Sequence, residues 1–462
     1  MAQTTETLEA FVGGKRLPLA DPAAVVETAV AGLVAAQEEA HGLSDAERAA
    51  ILDRIAAALT ARAGELAEEL AAEASFLTSK DMVGEIARTI DLATLVAAAV
   101  REGFDELVNL DGSPRGRDAI AMVRRVPIGP MLGITAFNGP ILTGAHKLFP
   151  AIAAGVPMVI KPSPWVPRAA VTLAELVVEA GWPAGALAAL PVDNDMTMQL
   201  VHDERLPVIS FTGGEVGWKI KEAVPRKHVH LELGGPGAVL VAADGDLDMA
   251  AAECVIGGFV RSGQACLSVQ RIFVVREVHD ELVAKLAAEV EKLAVAGRDP
   301  GDPDVGPLVS EAAADRVWEM LEDARERGAE VVVGGERDGA VITPTLLSGV
   351  TPEMAVMRRE VFGPIIAVVA VDSLGEAVPE ANSIDGMLQA GIFTRDIDLA
   401  LTLADKLFTG TVVINGSNAW RIDSSPFGGV GRAGTGREGV RAMVHEITTV
   451  KNVVIRHRPV DL

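Results

Sequence analysis

Two residue types in this chain could do covalent chemistry together. Cys266 stands in Gly263-Gln264-Ala265-Cys266-Leu267-Ser268, and Glu232 stands upstream in Leu231-Glu232-Leu233-Gly234-Gly235. A thiol flanked by small residues can reach a substrate, and a carboxylate at a glycine-ended strand can act as a base. Together they suggest covalent catalysis followed by hydrolysis. Each half alone is weak, because a lone cysteine is commonly a small buried hydrophobe and a Glu before Gly-Gly is commonly a solvated strand end.

Four further segments add weight. In Ile134-Thr135-Ala136-Phe137-Asn138-Gly139-Pro140 the Asn138 amide sits at a strand's mouth, where it can donate to an oxyanion or simply form a turn. Val159-Ile160-Lys161-Pro162-Ser163-Pro164 places Lys161 just past a strand, where doubly wound folds bind nucleotides; a solvated Lys is the alternative. Phe211-Thr212-Gly213-Gly214-Glu215-Val216-Gly217 follows a strand and opens a helix, so its N–H groups could face a pyrophosphate. Its glycine spacing is not G-x-G-x-x-G, and an ordinary strand-to-helix turn reads the same way. Glu360-Val361-Phe362-Gly363-Pro364 offers a carboxylate for ribose hydroxyls and an aromatic face for a flat ring, although a turn with a buried Phe is common.

The elements that must position these residues follow from periodicity. From about Asp21 to Arg101 the chain is Ala/Leu/Glu-rich at helical spacing, which predicts a helical layer. Asp111-Gly112-Ser113-Pro114 predicts a turn, and Ala119 to Pro127 an exposed strand or hairpin arm. Strands and helices then alternate: a strand over Met131 to Phe137, a helix over Gly144 to Ala153, a strand over Pro157 to Ile160, a helix over Ala169 to Gly181, and a strand over Val208 to Phe211. This rhythm argues for a parallel, doubly wound sheet. A second such block holds a strand at Ala238 to Val241, a helix around Met249 to Arg261, a strand at Arg271 to Val275, and helices over Asp280 to Ala296 and Arg316 to Gly328. The β-rich tail Thr448 to Ile455 is expected to pair with the arm near Ala119 to Val126 of another copy. The fold class is therefore α/β, with two doubly wound domains and a β-arm.

Size and composition bound the rest. A chain of 462 residues, 49% hydrophobic and 23% charged, can bury more than one core. The net charge of −23 disfavours nucleic acid and anionic membranes as partners. Two cysteines leave no disulfide framework and no Cys-x-x-Cys metal pattern, so no metal is expected and a reducing compartment is. The start has neither a basic n-region nor an apolar h-region, and no apolar run reaches spanning length. A cytoplasmic protein is expected.

With Asn138, Lys161, the Phe211 to Gly217 turn, Glu232, Cys266 and Glu360-x-Phe362 in this order, the chain resembles the NAD(P)-dependent aldehyde dehydrogenase superfamily. The resemblance runs through Pro426-Phe427-Gly428-Gly429 and Gly434-x-Gly436-Arg437-Glu438, and the local wording is similar to the lactaldehyde dehydrogenase-like branch. It implies a Rossmann-type cofactor domain over 1–107 and 128–234, a catalytic domain over 235–430, and an oligomerisation arm over 108–127 and 447–462. It implies that Cys266 attacks an aldehyde, that Asn138 and the Cys266 N–H hold the oxyanion, and that Glu232 activates water on the thioester. Thr135, Phe137, Lys161, Ser163, Pro164, Phe211, Thr212, Gly213, Gly214, Gly217, Leu233, Gly234, Glu360 and Phe362 would surround NAD or NADP. Gly139, Trp420, Arg421 and Phe427 would line the substrate pocket, and a homodimer or homotetramer is expected. A coenzyme A-acylating enzyme, or a non-enzymatic binding or structural protein on the same fold, is the alternative; the presence of Glu232 argues against the first and the intact set of three against the second.

Three departures from the family pattern stand out. Pro164 replaces a common Glu, the Phe211 to Gly217 turn is one residue short, and Gly139 stands where a bulky residue is frequent. The first removes an interaction that favours NAD over NADP, and the third is expected to leave space beside Asn138. Arg421 reads either as a contact for polar or carboxylate-bearing aldehydes or as a partner of Asp423.

Overall fold

The computed structural model describes residues 8–456, so the outermost parts of the expected domain and arm boundaries, 1–7 and 457–462, lie outside the described residues. The helical layer forms as Pro22–Ala35, Gln37–Gly42, Asp45–Ala61, Ala63–Glu73 and Ser79–Glu102. Local chemistry sets its starts. Ser44 and Glu47 make a reciprocal capping box, and Thr78 and Asp81 make another at the head of the Ser79–Glu102 helix.

Five parallel strands form the centre of the first sheet, in the spatial order His228–Glu232, Val208–Thr212, Met131–Ile134, Met158–Lys161 and Leu187–Ala189. Met131–Ile134, Met158–Lys161 and Val208–Thr212 are buried throughout, as strands covered on both faces must be. Winding reverses direction between Met131–Ile134 and Val208–Thr212. At such a switch the helices leave toward opposite faces and open a crevice outside the strands' carboxyl ends.

The second sheet runs Glu330–Val333, Thr345–Ser348, Ile365–Val371, Arg271–Val275, Ala238–Val241, Met387–Phe393 and Thr409–Ile414, parallel except for its first strand. Side chains alternate between its two cores: Ala238 and Leu240 pack with Val317 and Leu321, whereas Val239 and Val241 pack with Cys254, Phe259 and Leu282. Cys254 is therefore core.

Several expectations are corrected. The tail Thr448–Arg456 pairs antiparallel with Ala119–Pro127 of its own chain, Thr448 opposite Pro127 and Arg456 opposite Ala119. The helix Val440–Ile447 packs in the core beside Met131 and Met158 of the first sheet, which returns the tail to its own arm. The strand Gly434–Thr435 likewise joins the first sheet beside Glu232. The strand expected to Phe137 stops at Ile134, freeing Thr135 to Gly139 as a loop. The helix expected to Arg261 stops at Phe259, because Arg261 and Ser262 are left-handed. The helix expected over Asp280 to Ala296 spans Arg276–Val290. Beyond it the N–H groups of Ala294 and Val295 donate to the Asp304 and Asp299 carboxylates instead of to a helix. Among the described residues no helix is long and apolar enough to cross a membrane.

Candidate active site

The carboxyl ends of the first sheet open into a cavity of about 1010 Å³. Thr135 to Gly139 follow Met131–Ile134, Ser163 and Pro164 follow Met158–Lys161, Gly213 and Gly214 follow Val208–Thr212, and Glu232 ends its own strand. The second sheet closes the opposite wall with Cys266, Glu360, Phe362 and Arg421. Glu232 and Cys266 thus meet because two sheets face one another.

At the junction Cys266 is partly exposed to the cavity and Glu232 is buried. Both line the same cavity, and each acts on the other's ionisation. Burial pushes the Cys266 thiol well up and the Glu232 carboxylate adds to this, while Arg421 opposes it. Burial and the neighbouring Glu438 push Glu232 up to about 8 against the pull of Arg421 and Lys147. Its Oε1 has no hydrogen-bond partner among the described residues. A buried carboxylate with a high pKa and an open lone pair is suited to accepting a proton near neutrality. The Asn138 Nδ2 donates to the Gln264 carbonyl at 2.9 Å, two residues before Cys266. Gln264 is itself held, its Oε1 accepting the Val309 N–H at 2.8 Å.

The other lobe of the cavity has the form of a dinucleotide cradle. Lys161 is buried at its strand end, where burial lowers its pKa and Asp193 opposes the shift. Glu360 accepts the Gly235 N–H at 3.1 Å, and burial pushes it up to about 7 despite that bond and Arg316. A side chain on Gly234 would collide with the Glu360 carboxylate at 2.1 Å, so the glycine is what lets the carboxylate sit there. A Cβ on Gly213 would meet the Phe211 ring at 2.6 Å, while Gly214 is open, which leaves bare backbone ahead of the Val216–Ala223 helix. Phe362, at φ 50°, packs edge-to-face on Phe137 at 5.9 Å. A cation, a ribose-reaching carboxylate, bare glycine backbone and an aromatic wall fit a pyridine dinucleotide.

Comparison with known proteins agrees. A profile of the aldehyde dehydrogenase family matches residues 15–453. The chain belongs to this family. It is 35% identical to a 3-sulfolactaldehyde dehydrogenase of Priestia aryabhattai over 456 residues, covering 98% of this chain and 95% of that one. The solved aldehyde dehydrogenase 21 of Physcomitrella patens, in complex with the reaction product succinate, superposes with TM-score 0.93 at 32% identity, covering 98% and 99% of the two chains. The glyceraldehyde-3-phosphate dehydrogenase of Methanocaldococcus jannaschii complexed with NADP superposes with TM-score 0.90 at 32% identity, covering 98% and 100%. The protein is an NAD(P)-dependent aldehyde dehydrogenase that oxidises an aldehyde to the acid.

Most of the residues expected at the site of this dehydrogenase line the cavity, and four do not. Gly217 and Leu233 lie behind the wall, where a Cβ on Gly217 would meet Leu233 at 2.8 Å, so their part is close packing of helix on strand. Trp420 is half exposed outside the cavity, and Phe427 is buried beneath Arg421, whose guanidinium stacks 3.8 Å above its ring. Gly139 does not leave open space: a Cβ there would stand 3.1 Å from Thr143 and 3.3 Å from the Arg261 guanidinium. Arg421 lines the cavity and also pairs with Asp423 at 3.2 Å and Glu438 at 3.6 Å.

Sequence reasoning assigned no role to the ion cluster under Glu232. Lys147, fully buried, donates to Ser210 at 3.0 Å, Thr212 at 2.7 Å and Glu438 at 3.2 Å. Burial disfavours the charge on Glu438, yet Lys147 and Arg421 hold it well below the usual carboxylate range. Burial drives His146 down to about 3 and His230 down to about 4, so both are neutral. Arg88 joins the cluster through Asp423 at 2.8 Å. The pair Arg261 and Glu85, 3.1 Å apart, was also missed. Lys147 falls in the helix expected over Gly144 to Ala153 and Glu438 in Gly434-x-Gly436-Arg437-Glu438, but nothing local in the chain says that a Lys in one helix meets a Glu near the other end.

Proposed function

We propose that Cys266, Glu232 and Asn138 carry the oxidation, on the observation that Cys266 and an incompletely bonded Glu232 converge in one cavity beside the Asn138 amide. Cys266 adds as the thiolate to the aldehyde carbon, and the Asn138 amide with the Cys266 N–H stabilises the resulting oxyanion. Lys161, Glu360 and Phe362 would hold the dinucleotide, which would supply the acceptor for the hydride lost from the tetrahedral carbon as it becomes the thioester. Glu232 then takes a proton from water, whose oxygen attacks the thioester carbon; the C–S bond breaks, the acid leaves and the thiol is restored. Glu232→Gln is expected to keep a first-turnover burst of reduced cofactor while steady-state turnover falls about 10²- to 10⁴-fold. A normal steady-state rate in stopped-flow absorbance would sink this role.

The substrate is a short aldehyde with a polar or anionic tail. Arg88 and Arg421 line the substrate lobe; one relative is named for 3-sulfolactaldehyde and one for glyceraldehyde-3-phosphate, and a third was solved with the product succinate. Succinic semialdehyde should be turned over with a kcat/KM at least ~10-fold above that of a neutral aldehyde of equal length, since one desolvated charge–charge hydrogen bond contributes about 1.5–3 kcal/mol. Equal values for the two remove the proposal. Pro164 supplies no carboxylate against a 2′-phosphate, so both NAD and NADP serve.

The dehydrogenase works in the cytoplasm as a homodimer or a dimer of dimers. The three-stranded arm Glu106–Asn109, Ala119–Pro127 and Thr448–Arg456 exposes Leu107, Ile120 and Ile455 on one face and Val450 and Val454 on the other, apolar surface suited to an isologous partner. Light scattering at micromolar concentration should give at least twice the chain mass; a monomer mass contradicts it.

A further inference from the structure

The segment leading into Cys266 winds left-handed over three consecutive residues, Arg261 (φ 55°), Ser262 (φ 58°) and Gly263 (φ 72°). Two of these carry a Cβ. Such a backbone persists only where its surroundings over-determine it, and it clusters at functional sites. Here the surroundings are explicit. The Arg261 N–H donates to Asp81 Oδ1 at 3.2 Å, and the Ser262 hydroxyl both accepts from the Gly306 N–H and donates to the Gly306 carbonyl at 2.9 Å. The Gln264 N–H reaches back to the Arg261 carbonyl at 3.0 Å.

The winding aims the Arg261 side chain across the cavity wall. Its Nη1 donates to the backbone carbonyl of Asn138 in a short contact, and its Nη2 donates to Glu85 Oε2 at 3.1 Å. Glu85 is wholly buried, and its second oxygen accepts the N–H groups of Ile141 and Leu142 at 2.7 and 3.0 Å. One guanidinium–carboxylate pair therefore joins the nucleophile loop, the Asn138 turn and the start of the Leu142–Ala154 helix. Gly139 completes the fit, since a Cβ there would stand 3.3 Å from Nη1. A planar fork can hold two acceptors at fixed angles, which an ammonium cannot do.

We propose that Arg261 is a positioning residue for the oxidation: anchored on Glu85, it fixes the Asn138 peptide so that the Asn138 amide stays aimed at the oxyanion beside Cys266. This rests on the reading of Asn138 as the oxyanion donor. The role predicts coupling, because Arg261 acts only through Asn138. It also predicts a loss blind to substrate charge, because the guanidinium is turned toward the protein.

A double-mutant cycle tests this. Asn138→Ala should lower kcat about 10²- to 10³-fold. Arg261→Met should lower kcat by up to about 10²-fold with KM nearly constant, equally for succinic semialdehyde and a neutral aldehyde of the same length. Arg261→Lys should recover only part of the loss. In the Asn138→Ala background, Arg261→Met should have almost no further effect. Since Arg261→Met strands a buried carboxylate, Glu85→Gln/Arg261→Met, which removes both charges, is measured beside it and should show the same kcat loss while binding NADPH as the wild type does. Additive losses, or a loss confined to the anionic aldehyde, overturn the role of Arg261 and leave the oxyanion reading standing. A wild-type rate in Asn138→Ala removes the oxyanion reading itself.

Discussion

Glu232 and Glu438 are both buried carboxylates in the wall of one cavity, and they end in opposite states. Glu438 receives a direct bond from Lys147 at 3.2 Å and lies 3.6 Å from Arg421, which holds it charged against the burial penalty. Among the described residues Glu232 has no cation bonded to it and keeps one oxygen without a partner, and it is pushed up to about 8 by burial and by Glu438 itself. The same side chain is thus a fixed charge in one setting and a proton acceptor a short distance away. The two cysteines repeat the lesson. Cys254 packs among Val255, Phe259 and Leu282 with its thiol driven far up by burial, whereas Cys266 faces the cavity and a carboxylate.

The sharpest break of this comparison is at the thiols. Cys266→Ala should abolish aldehyde-dependent formation of reduced cofactor while leaving its binding nearly intact, whereas Cys254→Ala should keep full activity. Mass spectrometry that located the inactivating alkylation on Cys254 would reverse the assignment.

Next comes Glu438→Gln, which strands the Lys147 ammonium among two hydroxyls. Removing one partner of a buried pair costs about 3–5 kcal/mol, readable as a lowered thermal midpoint. It also removes the negative charge that lifts Glu232, so the acid limb of the steady-state pH profile, expected near 8 for the wild type, should move to lower pH. An unmoved limb would mean that Glu232 is not the titrating base. The signs for stability are opposite. Glu232, raised in the folded state, contributes stability at low pH that is lost as pH climbs from about 4.5 through about 8. Glu438, lowered in the folded state, contributes stability that is present above the ordinary carboxylate range and lost as pH falls below it. The smallest effect is the stability cost of Cys254→Ala, about 1 kcal/mol by denaturant unfolding.

Much of the site was legible because strand ends are loud. Val208–Thr212 and Met158–Lys161 are apolar runs broken by glycine, proline or a lone charge, and in a doubly wound sheet those breaks fall at the ligand-binding edge. Arg261 was silent. Val-Arg-Ser-Gly carries no mark of a left-handed turn, and Glu85 within a long helix reads as one more solvated carboxylate. Gly139 was misread for a related reason: a missing side chain looks like space until the Arg261 guanidinium is seen filling it. The tail strand was assigned the right partner sequence in the wrong molecule, because strand pairing depends on register and pattern, which are identical in two copies.

By itself the sequence determined the alternation of strands and helices, and with it the two α/β layers, because hydrophobic period and turn chemistry are local properties. It also named the residues able to do the chemistry, because nucleophile, base and amide are side-chain types. Only the tertiary structure decided which carboxylate holds a proton, which cysteine meets solvent, and which arginine steadies Asn138. Those outcomes depend on burial and on distances of a few ångström between segments more than a hundred residues apart, where charge and desolvation act through space.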